Sequence, residues 1–159
     1  MQETPITKNG YETLEKELNQ LIKVDREEIK KAIGEARELG DLKENAEYHS
    51  AKEKQALIEG RISQLQGIIA SAKIVDPSQM NGDKVVFGAT VSLLDIEKDQ
   101  NVTYQIVGDF ESDLSKGKIS FKSPLGRALI GKEEGDLVTV KAPKGDVEYE
   151  VESVEFKAD

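Results

Sequence analysis

The positions Tyr48, Ala51, Gln55, Ile58, Ile62, Leu65, Ile69 and Ala72 follow one another in alternating steps of three and four without a break. That spacing is a heptad seam, and a seam of this kind is buried only against another helix. The preceding stretch supplies the partner: Tyr11, Leu14, Leu18, Leu21, Ile22, Ile29, Ile33, Ala36 and Leu39 recur at mostly helical intervals. Thr7, following Pro5, suits the N-cap of the first helix, and Gly40 suits its end because glycine accepts positive φ. Pro77 and Gly82 stop the second. Two helices of about 30 residues joined by a few must run antiparallel, as an arm roughly 45 Å long at 1.5 Å per residue.

After Asn81 the period changes to two. "KVVFGATVSLLD", "VTYQIVG", "KISFKS", "DLVTVKAP" and "VEYEVESVEF" read as strands, and "PLGRALIGKEEGD" as a short helix with a loop. "APKGDVEYEV" reads as a hairpin turning at Lys144, Gly145 and Asp146. The predicted fold class is α+β. Residues 1–76 form an antiparallel coiled-coil arm with an acidic tip near 40–47, and residues 77–159 a compact, mostly antiparallel β-rich domain.

Composition removes several functional classes. The net charge is −9, shared as 12 basic against 15 acidic side chains in residues 1–76 and 10 against 16 in residues 77–159. Such a chain is repelled by phosphate backbones, which argues against strong independent nucleic-acid binding. With no Cys there is no disulfide framework, thiolate nucleophile or cysteine zinc site, and the single His49 rules out a histidine-rich metal site. "MQETPITKNG" has no basic start followed by an apolar run, and no apolar stretch is long enough to span a bilayer. A soluble, cytoplasmic protein without membrane partners is expected.

Between the helical runs lies "ELGDLKENAEYH", which carries Asp41, Glu44 and Glu47 around the break. Two readings compete for it. In one, "DLKE" is a capping box, with Asp41 as N-cap and Glu44 at the third helical position, so the acids merely begin the second helix. In the other, Asp41 and Glu44 converge at the far end of the arm as hard oxygen ligands for Mg²⁺. Two carboxylates hold that ion weakly unless other carboxylates or phosphates complete the site. They would then act inside another protein's metal site, where they could complete a second metal position or orient a water.

"GDLKENAEYHSAKE" resembles the tip of the Gre family of bacterial transcript-cleavage factors. The resemblance continues through "ITKNGYETLEKEL", "EGRI", "VFGATV" and "SPLGRALIGKEEGD". Leu42, Tyr48 and His49 are closer to the family's GreA branch than to GreB. The resemblance implies that a monomer inserts its coiled coil into the secondary channel of bacterial RNA polymerase. The polymerase's Mg²⁺-dependent cleavage of backtracked RNA is then stimulated, leaving a new RNA 3′ end. Asp41 matches the metal-holding acid and Glu44 the acid near the attacking water, with Mg²⁺ shared with the polymerase and no cofactor of the chain's own. Arg37 and Lys52 match a basic patch that contacts RNA. Lys52 stands where the family usually has Arg, which keeps charge but loses bidentate geometry. The globular half is implied to fold like the FK506-binding isomerases and to dock on the polymerase through Ser123, Pro124 and Leu125. The chain is then not itself an enzyme. Its alternatives are a channel-binding regulator without cleavage activity, a prolyl isomerase or chaperone, and a plain coiled-coil adaptor.

Overall fold

Contacts divide the chain into two units in the computed structural model, which describes residues 3–40 and 45–157. The first unit is Tyr11–Ala72; the second joins Glu3–Gly10 to the chain from Lys73 onwards. The sequence reading divides the chain at 76/77 instead.

The first unit is an antiparallel helical hairpin. Its first limb runs through α1 (Lys8–Gln20), a π turn at Leu21–Asp25 and α2 (Arg26–Arg37), and its second is α3 (Ala46–Ser71). The π turn answers an irregularity in the apolar spacing. Leu21 and Ile29 are eight residues apart, which overshoots two α-helical turns by about 80°. A π turn winds each residue through a smaller angle and absorbs that excess, so both side chains end buried. Opposite them α3 buries Ile58, Ile62, Leu65 and Ile68. Ile68 takes the place expected for Ile69, which is half-buried.

Two arginine forks cross the hairpin. Arg26 donates to both carboxylate oxygens of Glu59 at 2.9 and 2.8 Å, and Arg61 to both of Glu17 at 2.6 and 2.8 Å. The hydrogen bond from Arg61 holds the Glu17 carboxyl below its ordinary value of 4.5, and the one from Arg26 does the same for Glu59. A carboxyl whose folded pKa is lowered contributes stability that is complete above pH 4.5 and lost as pH falls through the lowered value. The pairs are partly exposed and screened by solvent, so each contribution is small. Melting followed by helical circular dichroism should therefore show a larger drop between pH 7 and pH 3 in the wild type than in Glu17→Gln, Glu59→Gln. Equal drops would exclude the forks as the titrating contacts.

The second unit holds two sheets. One pairs β1 (Thr4–Thr7) with β2 (Ala72–Val75). Neither strand is expected from the sequence pattern, which runs the second helix through Ala72. The other sheet contains β3 (Thr90–Asp95), β4 (Gln100–Val107), β5 (Lys118–Ser120), β6 (Leu137–Ala142) and β7 (Gly145–Glu155) in the order β5-β4-β3-β7-β6. All neighbours are antiparallel except β4 and β5. Helix α4 (Pro124–Leu129) packs with β5 and β6. Val91, Leu93, Ile106, Ile119, Leu129 and Val151 form the centre of the core. The strand expected from Lys84 begins only at Thr90, Lys84 making an isolated bridge to Glu133. The β6–β7 turn lies at Pro143 and Lys144, because Ala142 already pairs with Gly145.

Thr7 starts α1 as expected, its hydroxyl oxygen accepting the Gly10 N–H at 3.1 Å. The Thr7 hydroxyl in turn donates to Glu111. The Glu111 carboxylate also accepts the N–H groups of Thr7 and Gly108, at 2.9 and 2.8 Å. Gly10 leaves the space for it, since a Cβ there would lie 2.1 Å from a Glu111 oxygen.

Candidate functional site at the hairpin tip

Helix α2 closes where Glu38 and Leu39 donate back to Glu35 and Ala36, at 3.2 and 3.1 Å. Gly40 then turns the chain at φ 128°, a conformation open to glycine. Leu39 fits the apolar spacing but is 66% exposed, because the helix has already ended at Arg37. Asp41, Leu42, Lys43 and Glu44 lie outside the described residues.

The start of α3 corrects the capping-box reading. Its N-cap is Asn45, not Asp41, and the side-chain oxygen of Asn45 accepts the Tyr48 N–H at 3.0 Å. The same amide donates through its nitrogen to the Ala36 carbonyl at the end of α2. One side chain thus satisfies an orphan donor on one helix and an orphan acceptor on the other, and of the short polar residues that cap well only Asn offers both groups as an amide. Sequence reasoning passed over Asn45. A signal was available, since Asn ranks with Asp as an N-cap and stands immediately before the helical run.

Arg37, the last residue of α2, lies over the Tyr48 ring, 5.9 Å from its centroid. A cation is favoured at this end of a helix by the macrodipole. Tyr48 is half-buried, and its ring meets that of the exposed His49 edge-on at 5.6 Å. Lys52 is exposed and its ammonium donates to Gln55 at 3.2 Å, within its own helix. The structure therefore brings Arg37 to Tyr48, whereas Lys52 is engaged with Gln55.

In the second unit Ser123 caps α4. Its hydroxyl accepts the Gly126 N–H at 3.0 Å and donates to the Ser120 carbonyl at 2.7 Å, with Pro124 at the first helical position. Ser123, Pro124 and Leu125 line an open groove of about 610 Å³ together with Tyr104, Leu114 and Val140. Beside this turn the Ser120 hydroxyl and then Lys122 hold the Asp109 carboxyl below its ordinary value.

Residues 4–74 match the family described as "Transcription elongation factor, N-terminal", and residues 79–156 match "Transcription elongation factor, GreA/GreB, C-term". Transcription elongation factor GreA of Anaeromyxobacter sp. (strain K) is 57% identical over 156 residues, 98% of this chain and 94% of that one. GreA of Thioalkalivibrio sulfidiphilus is 56% identical over 157 residues, covering 98% and 99%. The chain belongs to the GreA/GreB family of transcription elongation factors. Among solved structures, GreA factor homolog 1 of Thermus thermophilus shares 31% identity over 97% of this chain and 99% of that one, with a TM-score of 0.45.

For a GreA/GreB member the tip has a division of labour, in which Asn45 closes the hairpin and Arg37 and Tyr48 flank the closure. Asn45→Ala should cost about 1 kcal/mol, the usual value of an N-cap. It should also speed hydrogen exchange at the Tyr48 amide. Asn45→Asp keeps the acceptor but sets a carboxylate against the Ala36 carbonyl, so it should protect Tyr48 while still lowering the melting temperature. Unchanged exchange in the Ala variant would contradict the cap assignment.

Among the described residues no helix is long and apolar enough to cross a membrane. Nor is there, among them, a group of three or more His, Cys, Asp or Glu side chains able to hold a metal ion.

Proposed function

We propose that this elongation factor acts on bacterial RNA polymerase by lending the carboxylates of Asp41 and Glu44 to the polymerase's own Mg²⁺ site. The observation that carries this reading is the cap of α3. Because Asn45 holds the helix start, the neighbouring acids are not needed for it, and family membership supplies the context in which they act.

The donor set fits a shared ion better than a resident one. Mg²⁺ takes six oxygens and binds few all-protein cages, so two carboxylates supply only part of its shell. When bound, Mg²⁺ supplies positive charge to the scissile phosphate and the attacking water. Asp41 contributes an oxygen that holds the ion, and Glu44 accepts a hydrogen bond from the water and orients it. Arg37 and Lys52 meet RNA phosphate near the 3′ end, and Ser123, Pro124 and Leu125 form part of the docking face on the polymerase. The chain carries no separate catalytic centre in this mechanism; the polymerase cleaves its own backtracked RNA and resumes elongation.

The isomerase alternative draws little support from the groove. Tyr104 is the one aromatic residue among those lining it, while Phe121, Tyr149 and Phe156 pack against the core. Such an enzyme needs an aromatic-lined pocket, and a shared fold does not bring shared chemistry.

The test is RNA length in stalled, backtracked polymerase complexes with and without the chain. Accelerated shortening of the RNA, followed by renewed extension on adding nucleotides, is the expected result. Binding to the complexes without shortening would replace this reading with that of a channel-occupying regulator.

A further inference from the structure

The arm contains three arginines on its helices in two distinct settings. Arg26 and Arg61 are each clamped by both oxygens of a glutamate. In each, the Nε–H and one Nη–H bridge the two limbs of the hairpin as a fork already filled by a carboxylate. Arg37 makes no ion pair among the described residues and rests instead against the Tyr48 ring. An aromatic face attracts a guanidinium through its quadrupole yet takes up none of the in-plane N–H donors. A carboxylate in the same place would compete with any phosphate for that fork.

Tyr48 is itself fixed. Its backbone N–H is held by Asn45, its ring is half-buried, and His49 stands edge-on to it. A long arginine side chain loses substantial rotamer freedom whenever it engages a ligand. A rigid ring that already restricts Arg37 removes part of that cost from the binding step.

We infer that Tyr48 is a positioning residue for RNA engagement, its ring presenting the Arg37 guanidinium with its donors open to a phosphate group. This inference rests on the proposal that Arg37 meets RNA phosphate. The relevant property is the aromatic face, not the hydroxyl, and it acts on binding rather than on the cleavage step.

The experiment titrates the full chain into backtracked polymerase complexes and separates the half-maximal concentration from the cleavage rate at saturation. Five proteins are compared: wild type, Arg37→Ala, Tyr48→Phe, Tyr48→Leu and the double variant Arg37→Ala, Tyr48→Leu. Tyr48→Phe keeps the ring and should match the wild type. Tyr48→Leu keeps an apolar side chain at the seam but removes the ring, and should raise the half-maximal concentration about two- to fivefold, the scale of an exposed cation–π contact. Its saturating rate should be unchanged. In the Arg37→Ala background, Tyr48→Leu should add no further rise.

An additive rise in the double variant would overturn the inference, because a residue that merely packs the tip weakens binding whether or not Arg37 is present. Tyr48→Leu matching wild type while Arg37→Ala is impaired would overturn the inference alone. Arg37→Ala matching wild type would overturn the underlying reading of Arg37, and the inference with it.

Discussion

Asp41→Asn, Glu44→Gln is expected to bind backtracked polymerase as the wild type does while stimulated RNA cleavage falls by about 10²- to 10⁴-fold, the scale of a lost acid–base or water-orienting group. Both changes are nearly isosteric, and neither alters the residue that caps α3, which is Asn45. The 26-residue helix α3 should therefore stay intact in the variant. Competition for polymerase against labelled wild-type chain measures docking, and helical circular dichroism measures folding. If the two acids instead supported the hairpin, binding, helicity and cleavage would decline together. A variant with reduced helicity and proportionately reduced binding would return these residues to a structural role.

The second large effect is on stability. Leu65 is fully buried at the hairpin interface, whereas Leu57, eight residues earlier on the same helix, is 75% exposed. Removing a buried leucine forfeits its transfer energy and leaves a cavity, so Leu65→Ala should cost about 2–5 kcal/mol. Leu57→Ala should stay within about 0.5 kcal/mol, the usual range for a surface substitution. Urea unfolding followed by helical circular dichroism distinguishes them. The Leu65 midpoint should fall well below wild type and the Leu57 midpoint should not. Equal midpoints for the two variants would mean that the seam is not what holds the helices.

That pair of leucines also marks what spacing can and cannot tell. The positions Ile58, Ile62 and Leu65 were legible because one apolar face repeating every three or four residues has a single way to be buried. Near the end of α3 the rule loses resolution. Ile68 and Ile69 lie on either side of the face marked by Leu65, and only the partner surface decides which is buried. Strands β1 and β2 were hidden for a related reason. Pro5 demotes a short segment as a strand, and Ala72 continues the heptad. Their pairing joins two parts of the chain far apart in sequence, a contact that no local pattern contains.

At the tip the ambiguity was chemical. "DLKE" and "NAEY" both offer a capping side chain close to the helix start, and propensity ranks Asp and Asn alike. The geometry that separates them is the second bond of Asn45, to the Ala36 carbonyl, which needs the other helix in place. The roles proposed for Asp41 and Glu44 rest on resemblance to a family, not on periodicity. The placing of Arg37 over Tyr48 could not be read from sequence, because the two residues lie on different helices.

The most direct measurement is the Mg²⁺ dependence of RNA cleavage in backtracked complexes saturated with wild type, Asp41→Asn or Glu44→Gln. The expected result is that Asp41→Asn raises the half-saturating Mg²⁺ concentration by about tenfold or more, a scale on which even groups outside the coordination shell act. Glu44→Gln should lower the rate at every Mg²⁺ concentration without moving the midpoint. If all three proteins share one Mg²⁺ midpoint, the tip does not lend a ligand to the metal, and the central claim is contradicted.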